Sequence, residues 1–272
     1  MKKKDSPERT FWKVVLFPFR MFFRLLSFVF QGIIMSIEKL ITIFTDNAQN
    51  IKQIVKKPSP EDYVPFKIIE TMKGSFNNFE SFLANNPSTI GIILGARGTG
   101  KSAIGLKLLE NLHVLSKKKF YAMGFKNLPN WIDVVEDINE IKTDSFVLID
   151  EGGILFSSRK SFSDANKLLS ELLLVARHND LSILFISQNS ANLEINAIRQ
   201  ADYLILKPSS LLQRDFERKK IKDIYDEASV KFEKYKNIRG LTYIYSEQFK
   251  GFVANPLPTF WNQKISKSFR KK

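Results

Sequence analysis

The chain contains no cysteine. That excludes a disulfide framework, a thiolate nucleophile and Cys-ligated zinc, and it fits a reducing compartment. Histidine is almost as scarce. His113 and His178 are the only two, which argues against a His-rich metal site. A long uncharged run is missing too. In the phenylalanine-rich N-terminal segment the longest, LLSFVFQGIIMSI at residues 25–37, has 13 residues, whereas a spanning helix takes roughly 20 mostly apolar ones. What the chain has in excess is positive charge. Lys and Arg outnumber Asp and Glu by 42 to 28, a formal net charge of +14, which favours a polyanionic partner such as nucleic acid or an anionic lipid surface. With 272 residues and 44% hydrophobic content, there is material for one substantial α/β domain with appendages, or for two small domains.

Residues 1–55 are basic and rich in phenylalanine. Lys13, Arg20, Arg24, Ser27, Gln31 and Glu38 follow helical spacing and form one thin polar stripe, while Phe22, Phe23, Leu26, Phe28, Val29 and Ile33 fill the other faces. A basic end with a wide apolar face reads as a helix lying in an anionic membrane surface, on the cytoplasmic side. A full span stays open, as does packing against a partner or the chain's own core. Residues 56–66, KKPSPEDYVPF, carry Pro58, Pro60 and Pro65 and read as a semi-stiff linker.

Beyond the linker, strands and helices alternate. TIGIIL (89–94), KFYAM (119–123), FVLID (146–150), SILFIS (182–187) and DYLIL (202–206) read as strands; residues 102–115 and 165–177 have helical periodicity. Near-continuous apolar strands between helices predict a parallel sheet covered on both faces, an α/β core over 67–210. Residues 211–272 then read as one charged helix over 211–236, a β-hairpin through Glu247 and Gln248, and a basic, frayed tail.

GARGTGKS, formed by Gly95, Ala96, Arg97, Gly98, Thr99, Gly100, Lys101 and Ser102, matches G-x-x-x-x-G-K-[ST] in full. It lies between a buried strand and a helix start, where such a loop aims backbone N–H groups and the helix N-terminus at phosphates. Lys101 is placed to bridge the β- and γ-phosphates and Ser102 to ligate Mg²⁺. FVLIDEGG supplies the partners. Asp150, at the tip of a buried strand, is the metal-shell acid, and Glu151 is placed to polarise an attacking water. Asp150 to Gly153 also reads as D-x-x-G, but no N-K-x-D follows a later strand to read guanine, so ATP is the expected nucleotide.

The stretch LFISQNS ends a strand in Ser187, Gln188 and Asn189. A turn accounts for Asn189. Gln188 would emerge beside the glycine-rich loop, where its amide can bond the γ-phosphate or hold the water, a sensor role.

GARGTGKS, FVLIDEGG, ARHND and FISQNS, in that order, resemble the HerA–FtsK superfamily of P-loop ATPases, and within it viral genome-packaging ATPases and zonular-occludens-toxin-like phage assembly ATPases. The likeness covers about residues 89–261, and LTYIYSEQFKGFVANPLPTFW is similar to the hairpin extension that follows the core in such proteins. The resemblance implies a RecA-like fold of the ASCE type, ATP and Mg²⁺ as cofactors, and a homo-oligomeric ring, typically a hexamer. It implies catalytic roles for Lys101, Glu151 and Gln188, and an arginine acting across a subunit boundary that matches Arg177, with Arg159 and Arg199 in reserve. A helix-end cation is the competing account of Arg177. The implied substrate is double-stranded DNA or a nucleoprotein, either pumped directly or handled during virion assembly or secretion.

Overall fold

A computed structural model describes residues 63–151, 162–193, 195–262 and 265, all within a compact unit spanning Ile54–Lys272. The expected membrane-surface segment, most of the proline-rich linker and the basic tail lie outside the described residues. Among those described, no helix is long and apolar enough to cross a membrane.

Nine strands form one sheet. In chain order they are β1 (Lys67–Gly74), β2 (Ile90–Leu94), β3 (Lys119–Met123), β4 (Ile132–Val134), β5 (Ser145–Asp150), β6 (Leu181–Ile186), β7 (Tyr203–Leu206), β8 (Leu241–Ser246) and β9 (Phe249–Ala254). The spatial order is β1-β9-β8-β7-β2-β6-β5-β3-β4. From β7 through β4 every pairing is parallel; β8, β9 and β1 add antiparallel strands at one side. The helices are α1 (Phe76–Asn85), α2 (Lys101–Leu115), α3 (Phe162–Ala176), α4 (Ile195–Gln200), α5 (Leu211–Asp215) and α6 (Lys219–Lys234). This is the expected parallel sheet flanked by helices, a P-loop NTPase fold.

The strands' alternation builds two cores. On one face Ile92, Leu94, Val147, Ile149, Ile183 and Phe185 meet Leu172 and Ala176 of α3 and Ile221, Ile224 and Phe232 of α6. On the other, Ile93, Phe146, Leu148, Leu184 and Ile186 meet Ile104, Leu108 and Leu112 of α2 and Phe79 and Leu83 of α1. Successive side chains of a strand point to opposite faces, so strands apolar at every position are those with a core on each side. A fully buried ion pair ties α2 to the C-terminal segment: Lys107 Nζ lies 2.6 Å from Glu110 Oε2, and Glu110 Oε1 accepts the Thr259 N–H at 3.0 Å.

One expectation fails. The charged helix expected over 211–236 is two helices, interrupted at Phe216, Glu217 and Arg218. A tertiary contact causes the break: Glu217 is buried, and its carboxylate accepts the Ser190 N–H at 2.8 Å. The described end of the proline-rich stretch is tied to the core, with Phe66 buried and stacked on Phe76 and Tyr63 Oη donating to Glu80 at 2.7 Å.

Candidate active site

The glycine-rich loop joins β2 to α2. Gly95, Gly98 and Gly100 have φ of 147°, 80° and 91°, a backbone path that L side chains rarely adopt. Gly95 is also fixed by contact: a Cβ there would stand 2.5 Å from Lys207 Cβ. The loop's base is stitched to the end of β7, since Lys207 N–H donates to Leu94 O at 2.8 Å and Ala96 N–H to Pro208 O at 3.0 Å. Nothing stands within 4 Å of a Cβ at Gly98, so the crest is open. Lys101 is buried, and its ammonium donates to the Gly95 and Ala96 carbonyls at 2.7 and 3.0 Å. Burial pulls its pKa below the ordinary lysine range, while Asp150 and Glu151 pull the other way.

β6 lies between β2 and β5. That order puts three strand tips side by side at the loop. Ser102 Oγ donates to Asp150 Oδ2 at 2.9 Å. Asp150 pairs with Ile186 in the β5–β6 register, so Glu151 falls opposite Ser187. Glu151 is 5% exposed, and its Oε2 accepts the Ser187 hydroxyl at 2.5 Å. Burial raises its pKa, and the Ser187 hydroxyl and Gln188 N–H offset part of that rise.

The sequence-derived residues thus fall into two groups. Lys101, Ser102, Asp150 and Glu151 meet at one end of the sheet. Gln188 stands at the same end, contributing its backbone N–H to Glu151, with its side chain exposed. Arg177 is exposed in the turn after α3, at the start of β6. The six residues of that strand separate it from Glu151 by about 20 Å at roughly 3.3 Å per residue. Arg177 cannot serve the site of its own chain. Arg199, on α4, is also exposed, and Arg159 lies outside the described residues.

Sequence reasoning passed over Ser187, the residue that touches Glu151. It was legible only through register. It also passed over Lys207, which is buried just past β7. The Lys207 ammonium donates to Gly240 O, Leu241 O and Asn255 Oδ1 at 3.1, 3.2 and 2.7 Å, and burial pushes its pKa down to about 7. Between about 7 and the unfolded value near 10.5, the unfolded chain holds a proton that the folded one has released. Stability therefore rises with pH across that window, by at most about 1.4 kcal/mol per unit from this group. Below the window both states are protonated and the cost is constant. Lys101 and Lys118 are shifted the same way, so the test is a difference. The urea midpoint of Lys207→Met is expected to climb less than the wild type's between pH 7 and 9; parallel slopes would remove Lys207 as the source.

The donor set suits Mg·ATP. A hydroxyl and one carboxylate give two oxygen ligands, and Mg²⁺ completes its octahedron with waters and substrate phosphates. No group of three or more acids or histidines able to hold a metal by itself occurs among the described residues. Beside Gly98, Thr99, Gly100 and Ala103 opens a cavity of about 570 Å³ walled by Val64, Pro65, Arg239, Pro256 and Leu257, the size of a small-molecule site.

No protein-family model and no curated protein matches the chain. Solved structures do. The genome-packaging NTPase B204 of Sulfolobus turreted icosahedral virus 2, in complex with sulfate, is 19% identical with a TM-score of 0.41, over 63% of this chain and 98% of that one. ATPases 2 and 3 of EssC from Geobacillus thermodenitrificans are 10% identical with a TM-score of 0.38, over 66% and 42%. The N-terminal domain of zonular occludens toxin from Neisseria meningitidis is 18% identical with a TM-score of 0.29, over 44% and 76%. The first and the last bear the names of the two kinds that the motif order resembles.

Proposed function

We propose that the chain is an ATP-hydrolysing motor that moves or packages double-stranded DNA as a homo-oligomeric ring, at the cytoplasmic face of a membrane. The observation that supports it best is the convergence at the glycine-rich loop of Ser102, in the first turn of α2, with Asp150 and the buried Glu151 at the tip of β5.

In this reading the backbone N–H groups of the 95–102 loop and the Lys101 ammonium hold the triphosphate, and adenosine takes the cavity beside Gly100 and Ala103. Ser102 and Asp150 would hold Mg²⁺, which neutralises phosphate charge when bound. Glu151 receives the proton of the attacking water at its carboxylate. Ser187 fixes that carboxylate's direction. Gln188 bonds the γ-phosphate or the water. Arg177, remote from its own site, completes the site of a neighbouring copy.

The net charge of +14 and the motif order support a DNA substrate. The mixed charges of α5 and α6, with Arg214, Lys219 and Lys222 beside Asp215, Asp223 and Glu227, do not add to it. A solvated face accounts for them. The basic, Phe-rich residues 1–55 favour a second reading, a membrane-anchored assembly or secretion ATPase that handles DNA only inside a nucleoprotein. The two separate by experiment. A DNA motor is expected to show ATPase stimulation by duplex DNA that fades steeply with salt. Indifference to DNA, with membrane recovery that depends on residues 1–45, would select the assembly reading instead.

A further inference from the structure

The loop that leaves β6 carries Ser187 and Gln188 and then makes a short 3₁₀ turn over Ser190–Asn192. The break between α5 and α6 grips that turn. Glu217 Oε2 accepts the Ser190 N–H at 2.8 Å. The Arg218 N–H donates to Ser190 Oγ at 3.0 Å, its Nε to Ser190 O at 3.0 Å and its Nη2 to Leu193 O at 2.5 Å. Upstream, Gln213 Nε2 donates to the carbonyl of Gln188 itself. Ser190 is fully buried, Glu217 is 7% exposed, and burial raises the Glu217 pKa. The break in the charged helix is therefore a binding feature of the fold. It gives up helical continuity so that two adjacent side chains can satisfy the backbone of a buried turn.

We infer that Glu217 and Arg218 are positioning residues for hydrolysis: they hold the 187–190 turn in the register that lets Ser187 orient Glu151, and they carry displacements of that turn into α6. The inference rests on the hydrolytic reading above. Ser190 is three residues from Ser187, and Ser187 Oγ is at once the donor to Glu151 and the acceptor of the Asn189 N–H at 3.3 Å. A shift of Ser190 therefore reaches the Glu151 carboxylate through Asn189 and the Ser187 hydroxyl. α6 begins at the grip, with Arg218 as its N-cap, and packs Ile221, Ile224 and Phe232 into the core face that holds β2, β5 and β6. The same two residues are thus the root of the helix and the clamp on the site.

The test uses the full chain with ATP and Mg²⁺. Arg218→Ala is expected to lower kcat by about 10- to 100-fold, the scale of a sub-ångström to ångström misplacement, with KM changed less than about twofold. Glu217→Gln keeps an acceptor for the Ser190 N–H and is expected to retain kcat, whereas Glu217→Ala loses it as Arg218→Ala does. If Arg218 acts through the turn, Ser187→Ala/Arg218→Ala is no slower than the slower single variant, within about twofold. Effects that simply multiply, or a loss that appears in KM alone, would overturn the inference. If Arg218→Ala fails to fold, Gln213→Ala carries the same comparison, since its half-buried side chain holds the Gln188 carbonyl from outside the turn. Failure of the hydrolytic reading is distinct: it would appear as unchanged turnover in Glu151→Gln, whatever Arg218→Ala does.

Discussion

Replacing Glu151 by glutamine is expected to lower kcat for ATP by about 10²- to 10⁴-fold, the range that a positioned general base contributes, while ATP still binds. The argument is geometric. Glutamine has the same shape, and its carbonyl oxygen can accept the Ser187 hydroxyl and the Gln188 N–H that now reach Glu151. The turn and the strand tips keep their places. Lys101, Ser102 and Asp150, which hold Mg·ATP on the proposed reading, are untouched. What disappears is a carboxylate able to take a proton. Single-turnover hydrolysis alongside fluorescent-nucleotide binding separates the two effects. Normal turnover in the variant would take the base role away from Glu151.

Arg177→Ala is expected to cost about 10³-fold or more in kcat, the effect of withdrawing an arginine that neutralises charge on the transferred phosphoryl group. Its position makes the prediction sharper than the number. About 20 Å of strand separates Arg177 from the Glu151 of its own chain at roughly 3.3 Å per residue, so on the proposed reading the site it completes belongs to another copy. Mixing inactive Arg177→Ala chains with inactive Glu151→Gln chains is then expected to restore turnover, because some interfaces pair an intact arginine with an intact glutamate. Were Arg177→Ala as fast as the wild type, the turn after α3 would be only a favourable place for a cation at a helix end. A mixture that stayed inactive would contradict the action of Arg177 across a subunit boundary.

Both predictions show what the sequence could and could not convey. The parallel strands were legible because β2, β5 and β6 are apolar at nearly every position, which only a sheet buried on both faces requires. The glycine-rich loop was legible because its chemistry fixes residue types at fixed spacing. β1 was not. Its pattern is exposed at most positions, Ile68 is half exposed, and the strand exists because its backbone pairs with β9. α1 had a readable signal in Phe76, Phe79 and Leu83, whose spacing puts three buried side chains on one helical face. The choice between Ser187 and Gln188 could not be read from β6 alone, because both faces of that strand are buried. Only the pairing of Asp150 with Ile186 sets Ser187 opposite Glu151. The break at Glu217 and Arg218 lies in a stretch whose charges fit an uninterrupted helix, and a contact 27 residues away decides it.

Calorimetric titration of the full chain and of Lys101→Ala with Mg·ATP tests the central claim most directly. The wild type is expected to bind one ATP per chain, with binding weakened when Mg²⁺ is chelated and lost in Lys101→Ala. A folded wild type that binds no ATP, or a Lys101→Ala variant that binds it equally well, would contradict the assignment of residues 95–102 and the strand tips around them as a nucleotide site.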